Sequence, residues 1–514
     1  MTERLKVLGG PGCGKSFTLM QKYTELLNSG YKPKDITLIT FRKSSAEDLI
    51  SSVCRDSVQS EKQVRQHVGT IHSICWRLGG YSEIMTSQDY SQFVKDYNYA
   101  SYMKVKSAFS EEDSAYSGNL FDLYVWLRNT CTPFEKWMKY PGCSEITLPN
   151  SRILKFLQDY EEFKQKIGKI DFSDMIQKVL DNQIELDTPI LMVDEFQDLT
   201  AQMYKLFEMW VPSCDVVMIA GDPFQSIYGF WGGSPKYFNK WDAVEHIIQE
   251  THRLPQQVQN FARKILKYEG MIAPDIRAKQ GYVEPIHSIS YESDMPVHNT
   301  ELHLIRCNYQ AGAVALNLAL TGKLFSGLQG WTSEEVALAN AIIAYRNGLI
   351  LSKEAIKTVV AAYPLKFYGK ITKDELLKQI DKNYSNDTRK NASLLKPAIL
   401  DSMLSNDPTE RMVTNSKLFT AKLKGVLDRK TFIMSWDCNN RKILTIHGSK
   451  GLEADAVFLH TSITPRINHA LVIPGEESAA EARVWYVGAT RAKEVLYLVK
   501  DAGKNYTLPE MVRC

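Results

Sequence analysis

The residues best suited to chemistry lie near the start of the chain, where LKVLGGPGCGKSFTLMQKYTELL reads as a short buried strand, a glycine-rich turn and a helix. Gly9, Gly10, Pro11, Gly12, Cys13, Gly14, Lys15 and Ser16 fit G-x-x-x-x-G-K-[ST] in the strand–loop–helix setting which that motif requires. Backbone N–H groups of such a turn, with the positive end of the helix, face phosphate oxygens. Lys15 is placed to reach the β- and γ-phosphates of ATP, and the Ser16 hydroxyl to ligate Mg2+. Cys13 reads as a small side chain in the loop, with nothing nearby in the sequence to make it reactive.

A second apolar run, PILMVDEFQD, ends in two carboxylates. Acids at the C-terminal end of a buried parallel strand stand where an α/β sheet presents ligand groups. Asp194 is expected to hold the Mg2+ shell, and Glu195 to polarise an attacking water. ATP hydrolysis is the reaction these residues predict together.

The elements that must position these groups form an alternating pattern. TLITF (37–41), VGTIH (68–72) and DVVMIAGD (215–222) read as further strands of a first half. HLIRC (303–307), KILTIHGS (442–449), DAVFLH (455–460) and VLYLV (495–499) read as strands of a second. Helical segments separate them, so the fold class is α/β, with two parallel-sheet domains. Two mainly helical segments interrupt the alternation. The division is residues 1–79 and 168–252 for the first domain with insertion 80–167, then 253–330 and 436–514 for the second with insertion 331–435. The second half lacks a phosphate loop but carries Arg253 and Arg491 near loop positions. An arginine supplied by a facing domain neutralises charge developing on a transferred phosphoryl group and makes hydrolysis sensitive to closure.

Bulk composition excludes several classes. The 514 residues are 44% hydrophobic and 24% charged, with a formal net charge of +3, which is ordinary for a globular protein of several domains. Nine cysteines occur without a CxxC pair, which argues against zinc ribbons and a disulfide scaffold and for a reduced, cytoplasmic setting. The phosphate loop begins within ten residues of Met1, so no signal peptide is expected, and no apolar run approaches a membrane span.

Taken in order, the motifs resemble those of superfamily 1 helicases of the UvrD/Rep/PcrA type. GGPGCGKS is similar to motif I, LITFRKSSA to Ia, VGTIHS to Ib, and VDEFQD to II, with IDFSDMI as the segment before it. GDPFQSIYGFWGG resembles motif III, ETHRLPQQVQNFA motif IV, TIHGSKGLEAD motif V and EARVWYVGATRAKEVLYL motif VI. The resemblance implies two RecA-like domains (1A and 2A) with ATP between them, insertions 1B and 2B, and 3′→5′ movement on single-stranded DNA and its junctions with duplex. It implies that Gln225 senses the γ-phosphate, that Arg253 and Arg491 act as arginine fingers, and that Glu453 bonds the ribose. Phe41, Thr70, His72, Tyr228, Phe230, Thr445 and His447 match strand-facing positions, and Lys450 a phosphate contact. Taken singly, His72 and His447 read as structural histidines, and Phe41 as readily as core. The compact size suits a phage-encoded or minimal bacterial member, a monomer working with replication or recombination proteins. The alternative kept open is a DNA-stimulated ATPase that strips proteins from strands.

Three departures from the family pattern carry expectations. Only eight residues precede Gly9, so the glutamine segment that reads adenine is expected to be absent or supplied elsewhere. His252 stands where the family has an adenine-stacking tyrosine, which predicts relaxed base selectivity. Phe230–Trp231 replaces a tryptophan–arginine pair, so the basic group of motif III is missing and Trp231 lacks an assigned role.

Overall fold

The computed structural model describes residues 3–56, 60–81, 83–99, 120–279, 286–290, 296–363, 372–383, 412, 416–500 and 506–507. Strands β1 (Glu3–Leu8), β2 (Ile36–Thr40), β3 (Val68–Thr70), β4 (Ile190–Val193), β5 (Val216–Gly221) and β6 (Val244–Ile247) form one sheet in the order β3–β2–β4–β5–β1–β6. Every pairing in it is parallel. Central strands of such a sheet are covered on both faces and read as continuous apolar runs, as ILMV of β4 does with all four residues buried. Because the strands are parallel, the turns that follow β1, β4 and β5 open on one edge of the sheet. The phosphate loop, the two acids and the Gly221–Gly233 segment therefore converge.

The second sheet contains β7 (His287–Ser290), β8 (Glu301–Ile305), β9 (Ser326–Gly327), β10 (Arg441–Thr445), β11 (Ala454–His460) and β13 (Ala492–Lys500). Its order is β7–β13–β11–β8–β10–β9, again parallel throughout. β12 (Ser462–Ile463) and β14 (Tyr506–Thr507) make a small antiparallel pair. The strands expected from sequence are present with shifted ends, while β6, β7, β9, β12 and β14 went unanticipated. β3 stops at Thr70 because the Thr70 hydroxyl accepts the Ser73 amide and starts the helix Ile71–Gly79.

The main core joins both sheets. Ile39, Leu191 and Val217 of the first half and Leu304, Leu459 and Leu496 of the second belong to one buried cluster. Two further clusters lie within the interrupting segments. Tyr90, Phe93, Phe121, Phe156 and Tyr160 centre the first, built on helices Ser87–Asp96, Leu120–Thr130 and Asn150–Ile167. Leu338, Ile342, Val359 and Leu423 centre the second, with helices Ser333–Arg346, Lys353–Ala362 and Lys417–Val426. The aromatic stripes of the first insertion are thus core, as expected from their helical spacing. Part of the polar stretch 373–395 forms the helix Lys373–Asn383, and the rest lies outside the described residues. Among the described residues, no helix is long and apolar enough to cross a membrane.

Candidate nucleotide cleft and strand-facing surface

Gly14 adopts a left-handed conformation (φ 80°) that turns the loop into the helix Lys15–Asn28. The buried Lys15 ammonium donates to the Gly10 carbonyl at 3.1 Å. The segment after β6 lies directly on the loop. Thr251 donates its hydroxyl to the Pro11 carbonyl at 2.7 Å, and the His252 amide donates to the Gly12 carbonyl at 3.0 Å. Gly12 has φ +70°, and a Cβ there would stand 2.3 Å from the Arg253 Cβ, so only glycine fits. His252 itself is exposed and Arg253 half-buried.

The Ser16 hydroxyl donates to Asp194 Oδ2 at 2.5 Å, bringing the two expected Mg2+ ligands together from opposite ends of the first half. A hydroxyl and a carboxylate are the hard oxygen donors that Mg2+ prefers alongside nucleotide phosphates, so the residues fit that ion. Burial, and then the charge of Glu195, push the Asp194 carboxyl up to about 6. A cation between these groups would relieve both effects. Glu195 differs: burial would raise it, but Lys450 and Lys15 outweigh that and hold it below the usual carboxylate range. Its backbone is left-handed (φ 53°, ψ 36°), a strained state for a non-glycine residue. Gln197, fully buried, donates to Glu195 Oε2 while its Oε1 accepts the Asp222 amide at 3.0 Å. That amide side chain ties the ends of β4 and β5 into one rigid edge.

The two halves meet over this edge. Arg491 Nη2 donates to Gln225 Oε1 at 2.9 Å, and Gln225 Nε2 donates to Asp222 Oδ2 at 2.8 Å. Burial and the neighbouring Arg253 lower the Arg491 guanidinium to about 9, so the site disfavours its charge until an anion arrives. Arg253 Nε donates to Glu453 Oε2 at 2.6 Å, so the residue expected at a ribose is engaged with an arginine in this state. Lys450, expected to reach strand phosphates, is only 2% exposed: it forms a buried ion pair with Asp198, donates to the Gln225 carbonyl at 2.8 Å, and lies over the Tyr228 ring at 4.8 Å. A buried, paired ammonium is not presented to a strand in this arrangement.

Three residues beyond Gln225, the chain enters an aromatic cluster. Phe41 and Tyr228 stack at 5.3 Å and are both buried, which places them beneath the surface instead of on it. Thr445 is also buried and uses its hydroxyl to accept the Gly448 amide at 3.0 Å. His447 is buried, and burial, then Arg306, hold its ring well below the usual range and therefore neutral. Phe230, His72, Thr70 and Trp231 remain half-buried, with Phe230 edge-on to His447 at 5.5 Å. The accessible apolar face is therefore Phe230, Trp231 and His72, resting on Phe41 and Tyr228. Gln197, Asp198 and Asp222 escaped the sequence reading. Asp198 and Gln197 sit inside VDEFQD, where their place in the motif was the only signal.

A family model of the UvrD/REP helicase N-terminal domain matches residues 1–244. A second, of the UvrD-like helicase C-terminal domain, matches residues 442–499. The chain belongs to the UvrD/Rep-type superfamily 1 helicases. The UvrD-type matches include the putative ATP-dependent DNA helicase YjcD of Bacillus subtilis, 24% identical over 45% of this chain and 32% of that protein. ATP-dependent DNA helicase UvrD2 of Mycobacterium tuberculosis is 23% identical over 96% of this chain and 76% of its own length. ATP-dependent DNA helicase Rep of Buchnera aphidicola is 22% identical over 98% and 93%. The two matched ranges include the phosphate loop, the two acids, Gln225 and Arg491.

Proposed function

We propose that this protein is an ATP-driven DNA helicase that hydrolyses Mg-ATP between its two sheet domains and moves 3′→5′ on single-stranded DNA. On this reading residues 1–79 and 168–252 are 1A, 80–167 are 1B, 253–330 and 436–514 are 2A, and 331–435 are a reduced 2B. The observation that carries the reading is the Arg491–Gln225 hydrogen bond at 2.9 Å, made between halves and three residues from Tyr228. A γ-phosphate entering beside Lys15 would compete for both groups, so nucleotide state and the aromatic surface share one short segment. Glu195, kept ionised by Lys450 and Lys15, suits the general base for water attack. Ser16 and Asp194 would hold Mg2+, which supplies charge neutralisation on the phosphates when bound. Arg253 and Arg491 would turn to the transferred phosphoryl group. Stacking on Phe230 and Trp231 suits a motor, because every base has a π-face and each contact is released without regard to sequence.

The deciding experiment measures ATPase activity and strand separation on duplexes with 3′ or 5′ single-stranded tails, with Glu195→Gln as control. Hydrolysis stimulated by single strands and unwinding from 3′ tails support the reading. Unwinding from 5′ tails alone overturns the polarity. Stimulated hydrolysis that displaces bound protein but leaves duplex intact favours the strand-stripping alternative.

A further inference from the structure

Trp231 is the residue in the Gly221–Gly233 loop that the family pattern leaves without a role, and its surroundings assign it one. Its ring meets Phe41 edge-on at 5.8 Å and His72 at 6.4 Å. Its carbonyl accepts a hydrogen bond from Asn129 Nδ2 at 2.9 Å. Asn129 is 2% exposed and lies in the last turn of the helix Leu120–Thr130, which belongs to the first insertion. The next loop residue, Gly232, has φ +100°, and a Cβ there would lie 2.9 Å from Thr130 Cγ2 and 3.2 Å from Asn129 Cβ. The loop is therefore pressed onto the insertion helix without room for a side chain. The preceding residue of that helix, Arg128, donates to Asp174 Oδ1 at 3.3 Å, anchoring the same helix end to the first sheet domain.

We infer that Asn129 is a positioning residue for strand binding: by holding the Trp231 carbonyl it sets the Trp231 ring against Phe41 and His72 as part of the stacking surface. The inference rests on the DNA-motor reading and deepens it, because the insertion then helps build the strand site as well as flanking it. A buried amide donor aimed at a backbone carbonyl in a turn restricts where the following ring can sit, and an ordered ring stacks on a base without first losing its own freedom.

The test is steady-state ATPase activity against oligodeoxythymidine concentration for the full chain, Asn129→Ala, Asn129→Asp, Trp231→Ala and the Asn129→Ala/Trp231→Ala pair. Asp keeps the shape of Asn but removes the donor, so it reads the hydrogen bond even where Asn129→Ala lowers the melting temperature. Both Asn129 variants are expected to raise the half-saturating oligonucleotide concentration roughly fivefold, the equivalent of one neutral buried hydrogen bond. The rate at saturating oligonucleotide is retained, which separates weakened strand binding from general loss of structure. In the Trp231→Ala background, Asn129→Ala adds nothing, since its effect runs through that residue. Unchanged half-saturation in the Asn129 variants, or an undiminished effect without Trp231, overturns the inference alone. A wild-type ATPase indifferent to DNA overturns the motor reading itself.

Discussion

Arg491 and Gln225 lie 266 positions apart and share a hydrogen bond of 2.9 Å across the cleft between the two sheets. Gln225 is fixed from the other side by its bond to Asp222, and Arg491 is a fully buried guanidinium whose charge the site disfavours. On the proposed reading, the pair is the point at which closure of the halves and occupancy of the phosphate site would be read together.

Replacing either partner should lower DNA-stimulated ATP turnover by about 10²- to 10³-fold, the scale of removing one group that stabilises transferred charge. The double variant Gln225→Ala/Arg491→Ala is expected to lose little more than the worse single, because both act through one contact. Turnover measured at saturating ATP and DNA for the three variants checks this. Fully additive losses would show two independent roles.

Gly12→Ala should damage the phosphate loop by overlap as well as by backbone strain. The φ of +70° and the 2.3 Å approach to the Arg253 Cβ leave the substituent nowhere to go. A loss of roughly 1–3 kcal/mol in stability is expected from the strained backbone, together with weakened ATP binding. Thermal melting with and without Mg-ATP measures both effects, and an unaltered nucleotide-induced shift would count against them.

His252 is exposed at the mouth of the loop, and its amide donates to the Gly12 carbonyl. An imidazole offers less stacking area than a phenol ring, so hydrolysis rates with ATP, GTP and CTP should agree within a few-fold, and His252→Tyr should restore preference for a purine. Parallel kcat/KM measurements decide. A strong ATP preference in the wild type would refute the expectation.

Glu301 on β8 gives the second domain an acid-sensitive anchor. Burial would raise its carboxyl, but hydrogen bonds from His303 and Arg441 prevail and hold it at about 2, against an ordinary 4.5. Arg441 makes two of its donors available to that carboxylate, at 2.5 and 2.7 Å. A depressed folded-state value stabilises the fold above the unfolded pKa, and that contribution fades as pH falls from about 4.5 towards 2. Glu301→Gln should be less stable near neutrality, by about 3 kcal/mol as for a broken buried pair, and should lack this pH dependence. Denaturant midpoints across the acid range check the sign.

Much of the cleft was legible from residue types and spacing. GGPGCGKS and VDEFQD prescribe their own strand–turn settings, because phosphate and metal chemistry require backbone amides and acids at strand ends. Alternating apolar runs marked two parallel sheets for the same local reason. Short or exposed strands were harder to find. β6, with all four residues exposed, carries no apolar pattern and exists because it pairs with β1.

What local pattern could not decide is which side chains share a space. That Tyr228 lies buried under Lys450, that Lys450 pairs with Asp198, and that Asn129 holds Trp231 all depend on contacts between segments distant along the chain. Motif order determined the chemistry by itself, since each motif carries its donors and acceptors within a few residues. Which aromatic faces solvent, and which lysine is spent on an internal ion pair, was decided only when the packing of two sheets and an insertion set the local solvent exposure and charge.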